Sequence, residues 1–309
     1  MNSFESKKQS TILKERIIKS LLIIASTISI LTTFGILFSI LFEALEFFKM
    51  KSFWYFISGT EWSPGVEDSK FGAVPIFAGT FMITIIAMLV AIPVGLGSAI
   101  YMSEYATPRV RDYLKPILEV LAGIPTVVYG FFAAITVAPL IVKGANALGF
   151  EATFNSALAS GVVMGIMIIP VISSLSDDVI RAVPDSQRKA AFGLGMTHGE
   201  IIKDIVLPSA LPGIISASLL GLSKALGETM IVVMAAGLRP NLSWNPLEDM
   251  TTVTVTIVNS LVGDFEFNSP ETLSAFALGL VLFVITLILN MISLSLIRKF
   301  KEKYKVNTL

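Results

Sequence analysis

Six long apolar runs, separated by shorter polar connections, form the main pattern of hydrophobic and polar positions along these 309 residues. A helix needs about 20 apolar residues to cross the hydrocarbon core of a bilayer. The pattern therefore predicts an all-α, polytopic membrane protein with six transmembrane helices. The spans are expected near residues 17–42, 73–101, 114–142, 156–175, 212–238 and 272–297.

Composition and local pattern divide the chain around these spans. Hydrophobic residues make up 54% of the sequence and charged residues 15%, which is too apolar for a water-soluble protein of this size. The first run, of about 26 residues, exceeds the core of a signal peptide and is expected to be an uncleaved anchor. The aromatic residues after it, with Lys49 and Lys51, favour a helix lying at the membrane interface. The expected segments are a cytoplasmic tail at 1–16, a first transmembrane helix at 17–42, an external interfacial segment at 43–70, a five-helix core at 71–297 containing a cytoplasmic loop at 176–211, and a second cytoplasmic tail at 298–309.

Lys and Arg are distributed unequally between the two sides that six spans create. They concentrate in both tails and in the second and fourth connections, whereas the opposite side holds Lys49, Lys51, Lys70, Lys143 and Arg239. Because connections rich in positive charge stay in the cytoplasm, both termini and the fourth connection are predicted to be cytoplasmic. On the same rule, positions 62 and 264 are predicted to be external.

The fourth connection is far longer than a simple turn and has its own helical signals. Asp185 and Ser186 offer N-cap oxygens after Pro184, and Gly195 stands where a helix C-cap falls. The residues expected to form the apolar face of this first short helix are Ala190, Ala191, Phe192 and Leu194.

A second short helix is predicted after Gly195. Thr197, followed three residues later by Glu200, predicts a capping box. Isoleucines then repeat at helical spacing until Leu207-Pro208 ends the run. The two helices are expected to turn against each other at Gly195.

This pattern resembles the EAA loop of ABC-importer permeases, in which Ala-Ala, a Gly four residues later and an Ile-x-Leu-Pro ending form the short helix that docks on the ATPase subunit. The family's leading Glu is Lys189 here, so a salt bridge made by that Glu is not carried over. The resemblance implies a type I ABC-importer permease fold and coupling of this loop to an ATPase; a helical hairpin of no special role is the alternative. The positions in register are Ala190, Ala191, Gly195, Ile205, Leu207 and Pro208.

The fifth run contains two ionisable residues, Lys224 and Glu228, at membrane depth. At 1.5 Å per residue from Pro212, they lie about 18 and 24 Å into the span, so neither easily reaches the cytoplasmic surface. Because a charge at a helix centre costs about 2.5–3.5 kcal/mol, it indicates a function by default. The functional hypothesis is that Lys224 helps an anion to shed water while Glu228 holds the lysine or latches a neighbouring helix. The alternative is a mutually neutralised i,i+4 pair that only fixes packing.

Two further stretches, Ala225-Leu-Gly-Glu-Thr-Met230 and Gly123-Ile-Pro-Thr-Val-Val-Tyr-Gly130, resemble the PstC-type permeases of phosphate ABC importers. In that family an arginine commonly precedes the motif Glu by four residues, and both are implicated in transport; Lys224 holds that position here. The resemblance implies a phosphate permease subunit in the bacterial inner membrane that works by alternating access. It also implies a second, PstA-type permease, two ATPase subunits and an external phosphate-binding protein as partners.

The sequence shows no motif for catalysis or for ATP binding. It lacks a phosphate-binding Gly-x-x-x-x-Gly-Lys-Ser/Thr loop and a Gly-x-Ser-x-Gly elbow, and it has no cysteine and only one histidine, His198. A lone histidine is not a metal site. The prediction is a non-catalytic subunit without a cofactor, driven by ATP hydrolysis in its partners.

The sequence is also compatible with other functions. A permease for another oxyanion, such as phosphonate, sulfate or molybdate, would share the architecture. An ion-coupled secondary transporter or a channel would need no ATPase, and the cytoplasmic loop argues against both. A purely structural membrane subunit is the further alternative if Lys224 and Glu228 are dispensable.

Overall fold

The computed structural model describes the backbone of residues 2–65, 69–262 and 266–303, and the side chains from residue 15 to residue 299 within these ranges. Position 264 and the ends of both predicted tails therefore lie outside the described residues. The helices are α1 (Asn2–Met50), α2 (Phe53–Ser58), α3 (Val74–Ile100), α4 (Pro108–Ala122), α5 (Thr126–Phe132), α6 (Ala138–Ala147), α7 (Ala157–Arg181), α8 (Asp185–Gly193), α9 (His198–Ile201), α10 (Leu207–Leu226), α11 (Met230–Ala235), α12 (Val253–Val262) and α13 (Pro270–Lys303). Single π-helical turns cover Tyr101–Tyr105, Ala133–Val137 and Ile202–Val206.

Two short antiparallel strands, β1 (Trp62–Ser63) and β2 (Lys70–Phe71), lie between α2 and α3, with Trp62 opposite Phe71. Six helical stretches of the described chain are long and apolar enough to cross a membrane, which confirms the predicted number. These stretches are Glu15–Met50, Val74–Tyr105, Thr126–Ala147, Ala157–Arg181, His198–Leu226 and Pro270–Lys299.

The third span begins at Thr126, so the prediction that it begins at residue 114 is wrong. Residues 108–122 form a separate helix, α4, which starts with the Thr107 cap and Pro108 in its first turn. The helix ends at Ala122 because Pro125 disfavours helical geometry in the residue before it. The hydropathy pattern did not separate α4 from the third span, because α4 also contains apolar residues. Some of these, such as Tyr113 and Val120, are exposed in the structure.

The fifth span is also different from the prediction, which placed one continuous helix at 212–238. The helical stretch starts earlier, at His198, and α10 ends at Leu226. Three residues interrupt the helix before α11 begins at Met230.

Close packing of α3 on α7 forms the centre of the bundle. Gly161 and Gly165, four residues apart on one face of α7, make this contact: an added Cβ at Gly161 would lie 2.7 Å from Cβ of Ile86, and one at Gly165 would lie 2.7 Å from Cβ of Val90. Such distances leave no room for any side chain, so these glycines allow the two helices to touch along their length. The buried core continues onto α10 and α11.

The aromatic segment after the first span packs mostly against itself. Phe47, Phe56, Trp62 and Phe71 are buried and meet edge to face with ring centroids 5.4–6.3 Å apart. The aromatic residues Phe53, Trp54 and Tyr55 of the short helix α2 are exposed, Trp54 the most, at 77%. These exposed side chains are the ones available to a membrane interface, and the location of the segment there stays a prediction.

Candidate functional site

The long loop between α7 and α10, residues 182–206, folds into two short helices as predicted. Gly195 has φ +82°, in the left-handed region that glycine adopts without strain. The Met196 amide donates to Ala191 O at 3.2 Å and the Gly195 amide to Phe192 O at 3.0 Å, so the last carbonyls of α8 are satisfied. These bonds fix the corner between α8 and α9.

The capping box at the start of α9 is also confirmed. The Thr197 amide donates to Glu200 Oε2 at 2.8 Å, and the Glu200 amide donates to Thr197 Oγ1 at 3.4 Å. The predicted side-chain cap of α8 is wrong, because the N-cap position is Pro184, whose side chain cannot accept a hydrogen bond. Asp185 lies in the first turn, where its charge favours the positive end of the helix dipole.

The residues of the predicted docking motif divide between the surface and the interior of the loop. Lys189, Ala190 and Gly195 are exposed, while Ile205, Leu207 and Pro208 are half-buried. Ala191 is buried in a cluster with Ile201 and Val206. The single apolar face predicted for α8 is thus wrong, since Phe192 and Leu194 point to solvent, Leu194 with 84% of its surface exposed. These two side chains form an apolar projection at the end of α8.

The long loop rests on the π-helical turn at the end of α3, a contact that sequence reasoning missed. Arg188 Nη2 of α8 lies 2.9 Å from Glu104 Oε1. His198 of α9 places Nε2 3.2 Å from the Glu104 carbonyl oxygen, and its ring contacts Phe192 and Tyr105. Among the described residues, no group of His, Asp and Glu is arranged to hold a metal ion.

A second ionic cluster, close to the long loop, joins α4 to α7. Arg111 Nη2 donates to Asp177 Oδ2 at 2.8 Å, and Lys115 pairs with Asp178. Asp177 is fully buried, and its hydrogen bond raises the pKa of Arg111 above the ordinary value. These pairs fix α4 against the end of α7, so α4 is a packed part of the bundle.

The interruption after α10 is held by Glu228. Its Oε1 accepts hydrogen bonds from the amides of Met230, at 3.0 Å, and Ile231, at 3.3 Å, which are the first residues of α11. Thr254 Oγ1 of α12 donates to the Glu228 carbonyl oxygen at 2.8 Å. Non-helical backbone at membrane depth must find such partners or water. Glu228 is only 7% exposed, and its carboxylate acts as the cap of α11 through the two hydrogen bonds from the Met230 and Ile231 amides.

This geometry changes the interpretation of Lys224 and Glu228. In the part of the chain that the structure describes, no ion pair joins them, so the predicted contact in which Glu228 holds the lysine is absent. An i,i+4 pair requires a continuous helix, and the helix ends between the two residues. Glu228 does contact a neighbouring helix, as the latch hypothesis expects, but through its backbone carbonyl. Lys224 lies half-buried in the last turn of α10.

A groove lies between α10 and α13, and half of its lining residues are polar: Ser216, Ser223, Asn290 and Ser293. The other lining residues are leucines and Ile297, and Lys224 directly follows the lining residue Ser223 in the sequence. Polar side chains within a membrane span usually face protein or a water-filled path. The polar residues of the α10–α13 groove and Lys224, which is next in sequence to Ser223, are therefore candidates for contact with a solute.

Comparison with known proteins agrees with this architecture. The family described as binding-protein-dependent transport system inner membrane component matches residues 91–303. The probable ABC transporter permease protein YqgH of Bacillus subtilis is 34% identical over 251 residues, covering 81% of this chain and 78% of that protein. The phosphate transport system permease protein PstC 1 of Mycobacterium bovis is 34% identical over 276 residues, covering 79% and 82%. PstC of Pasteurella multocida is 31% identical over 287 residues, covering 87% of each chain.

Two solved structures share the fold. A chain of the inward-facing MetNI methionine ABC transporter superposes with a TM-score of 0.55 at 17% identity, covering 74% of this chain and 94% of its own. A chain of a bacterial ABC transporter involved in alginate import superposes with a TM-score of 0.55 at 14% identity, covering 73% and 79%. The helices of this chain therefore have the arrangement of type I ABC-importer permeases, as the EAA-type loop implied.

Proposed function

The chain belongs to the family of binding-protein-dependent transport system inner membrane components, and we propose that it is the PstC-type permease subunit of an ATP-driven phosphate importer. The observation that carries this proposal is the 34% and 31% identity to PstC permeases over 79% and 87% of the chain. The motif from Ala225 to Met230, which contains the interruption after α10, supports the same assignment. The subunit itself is non-catalytic, and ATP is hydrolysed by partner subunits.

The proposed assembly contains a second, PstA-type permease, two ATPase subunits and an external phosphate-binding protein. Both termini and the long loop face the cytoplasm, where ATP is available. The distribution of Lys and Arg along the sequence supports this orientation.

The long loop is the surface that meets an ATPase subunit. Phe192 and Leu194 project from the end of α8 next to the exposed Lys189 and Ala190. Exposed apolar side chains on a rigid corner suit insertion into a groove of a partner protein. The buried residues Ala191, Ile201 and Val206 belong to the apolar cluster on which the corner packs.

Phosphate moves past Lys224, close to the groove between α10 and α13 that Ser223 lines. The ammonium group offers a cation that replaces part of the water around the anion. Glu228 has the opposite sign and its Oε1 is already bound to two amides, so it is a positioning residue that holds the interruption after Lys224. ATP binding closes the ATPase dimer, moves the long loop, and exposes the path alternately to the two sides.

Uptake of labelled phosphate into proteoliposomes that contain the complete complex tests this function. The proposal expects uptake that requires both ATP and the binding protein. In Lys224→Met, uptake is expected to fall on the order of tenfold or more, and a tenfold change corresponds to a free-energy difference of about 1.4 kcal/mol. Uptake driven by an ion gradient without ATP would overturn it in favour of a secondary transporter. ATP-driven uptake of phosphonate, sulfate or molybdate in place of phosphate would assign another oxyanion.

A further inference from the structure

One residue, Glu104, is contacted by both helices of the long loop. Its carboxylate accepts Arg188 Nη2 of α8 at 2.9 Å, and its carbonyl oxygen lies 3.2 Å from His198 Nε2 of α9. Glu104 belongs to the π-helical turn that continues α3. It is separated from these partners by 84 and 94 positions in the sequence, so the contact joins the loop to a helix with which it has no direct covalent connection.

The Arg188 guanidinium holds three elements together. Besides Glu104, it donates to the carbonyl oxygens of Ile180, at 2.9 Å, and Val183, which end α7 and begin the long loop. The side chains of Arg188 and Glu104 are 16% and 6% exposed, so this ion pair is largely desolvated. An ion pair with this burial and these additional hydrogen bonds resists separation far better than a surface pair.

The opposite half of α3 reaches the interrupted helix. Thr80 Oγ1 accepts the amide of Val253, the first residue of α12, at 3.0 Å. The next residue, Thr254, donates to the Glu228 carbonyl oxygen at 2.8 Å. At about 1.5 Å per residue, α3 bridges about 30 Å between Thr80 and its last residue, Ile100, and the π-helical turn continues it to Glu104.

We propose that Glu104 is the positioning residue through which the long loop moves α3, and that α3 passes this displacement to the interruption at Glu228. The covalent connections of the loop lead only to α7 and α10. The ion pair attaches the C-terminal end of α3 directly to the loop, in addition to the indirect attachment that α3 has through its close contact with α7. This inference rests on the proposed function in that it assumes a loop driven by ATP.

The ratio of phosphate transported to ATP hydrolysed, measured in proteoliposomes that contain the complete complex, tests the role of Glu104. Glu104→Gln keeps the size of the side chain and removes the charge. We expect assembly and ATP hydrolysis to persist while phosphate moved per ATP falls on the order of tenfold, within the range of coupling effects between distant sites. Arg188→Lys keeps the cation but not the fork, and is expected to retain an intermediate ratio. Glu46→Gln, which removes the same charge from an exposed ion pair with Lys49, is the matched control and should leave the ratio unchanged.

A normal ratio in Glu104→Gln would overturn the proposal. Should that variant fail to assemble, Thr80→Val decides, because it removes the acceptor at the other end of α3 with little change of volume. A lowered ratio in Thr80→Val would support the transmission through α3, and a normal ratio would overturn it.

A readout without phosphate separates this inference from the proposed substrate. Ser223→Cys, in the groove between α10 and α13 next to Lys224, reports on opening of the path through its reaction rate with a membrane-impermeant thiol reagent, with and without ATP. An ATP-dependent rate change that Glu104→Gln abolishes would support the inference even if phosphate is not the solute. The same ATP-dependent change in both backgrounds would overturn it.

Discussion

Replacing the Glu228 carboxylate tests whether it acts as the cap of α11 or as half of a neutralised charge pair. Glu228→Leu removes the acceptor of two amides, the buried amide of Ile231 and the partly buried amide of Met230. A buried amide left without a partner costs about 1–3 kcal/mol if the chain does not relax, and the Met230 amide, which is only partly buried, adds less. Glu228→Gln keeps a carbonyl oxygen in the same place and loses only the charge at the helix N-terminus, which is about 0.3–2 kcal/mol.

The stability of the purified complex in detergent, followed by heating and size-exclusion chromatography, gives the order of these variants. We expect the wild type to be the most stable, Glu228→Gln to be slightly less stable, and Glu228→Leu to be clearly the least stable. Thr254→Val is a control at the same interruption, since it removes the donor to the Glu228 carbonyl and the hydrogen bond with Thr252 Oγ1 but leaves the carboxylate in place. It is expected to cost less than Glu228→Leu, because a carbonyl oxygen can accept from water or other donors.

A second replacement, Lys224→Met, distinguishes the cap from the charge pair. Because no ion pair joins the two residues in the described structure, the effects of Lys224→Met and Glu228→Leu on stability should add to within about 0.5 kcal/mol. A neutralised pair would behave differently, since removing both charges together would restore much of the stability that the single Glu228→Leu change loses. A double variant that is as stable as the wild type would therefore refute the cap.

Three further predictions follow from the loop and the outer surface. Gly195→Val places a β-branched residue at φ +82°, at a cost of about 1–2 kcal/mol; uptake should fall while the protein still inserts, and normal uptake with normal ATPase association would contradict the docking role. A single cysteine that replaces His198 should be protected from an impermeant maleimide in intact cells, whereas one that replaces the exposed Trp54 should react with it. The reverse result would invert the orientation. Hydrogen bonds from Asn241, Ser243 and Asn245 lower the pKa of Glu248 below its ordinary 4.5. The contribution of the Glu248 side chain to the order of this loop should therefore be complete at neutral pH and be lost as the pH falls through that lowered pKa, while the backbone hydrogen bonds of the loop persist. Hydrogen exchange can follow this change, and Glu248→Gln is the variant that lacks it.

The parts of the fold that follow from neighbouring residues could be predicted from the sequence. The corner of the long loop depends on Gly195 and on the pair Thr197 and Glu200, which are three positions apart, so the chain pattern contains all of the relevant partners. The six spans follow from the length of apolar runs in the same way. The Gly161-x-x-x-Gly165 face also indicates close packing without naming the helix that fills it.

The candidate site depends on contacts that the local pattern does not contain. Hydropathy measures the transfer of side chains into hydrocarbon and is almost insensitive to whether the backbone between them is helical, so it could not separate α10 from α11. The interruption is stable because the Glu228 carboxylate accepts the amides that the broken helix exposes and Thr254, 26 residues away, donates to the freed carbonyl. The sequence does show a costly charge at this depth, which indicates a special position but leaves open whether solute or backbone compensates for it. In the structure the backbone amides compensate for Glu228, and Lys224 therefore becomes the better candidate for contact with an anion.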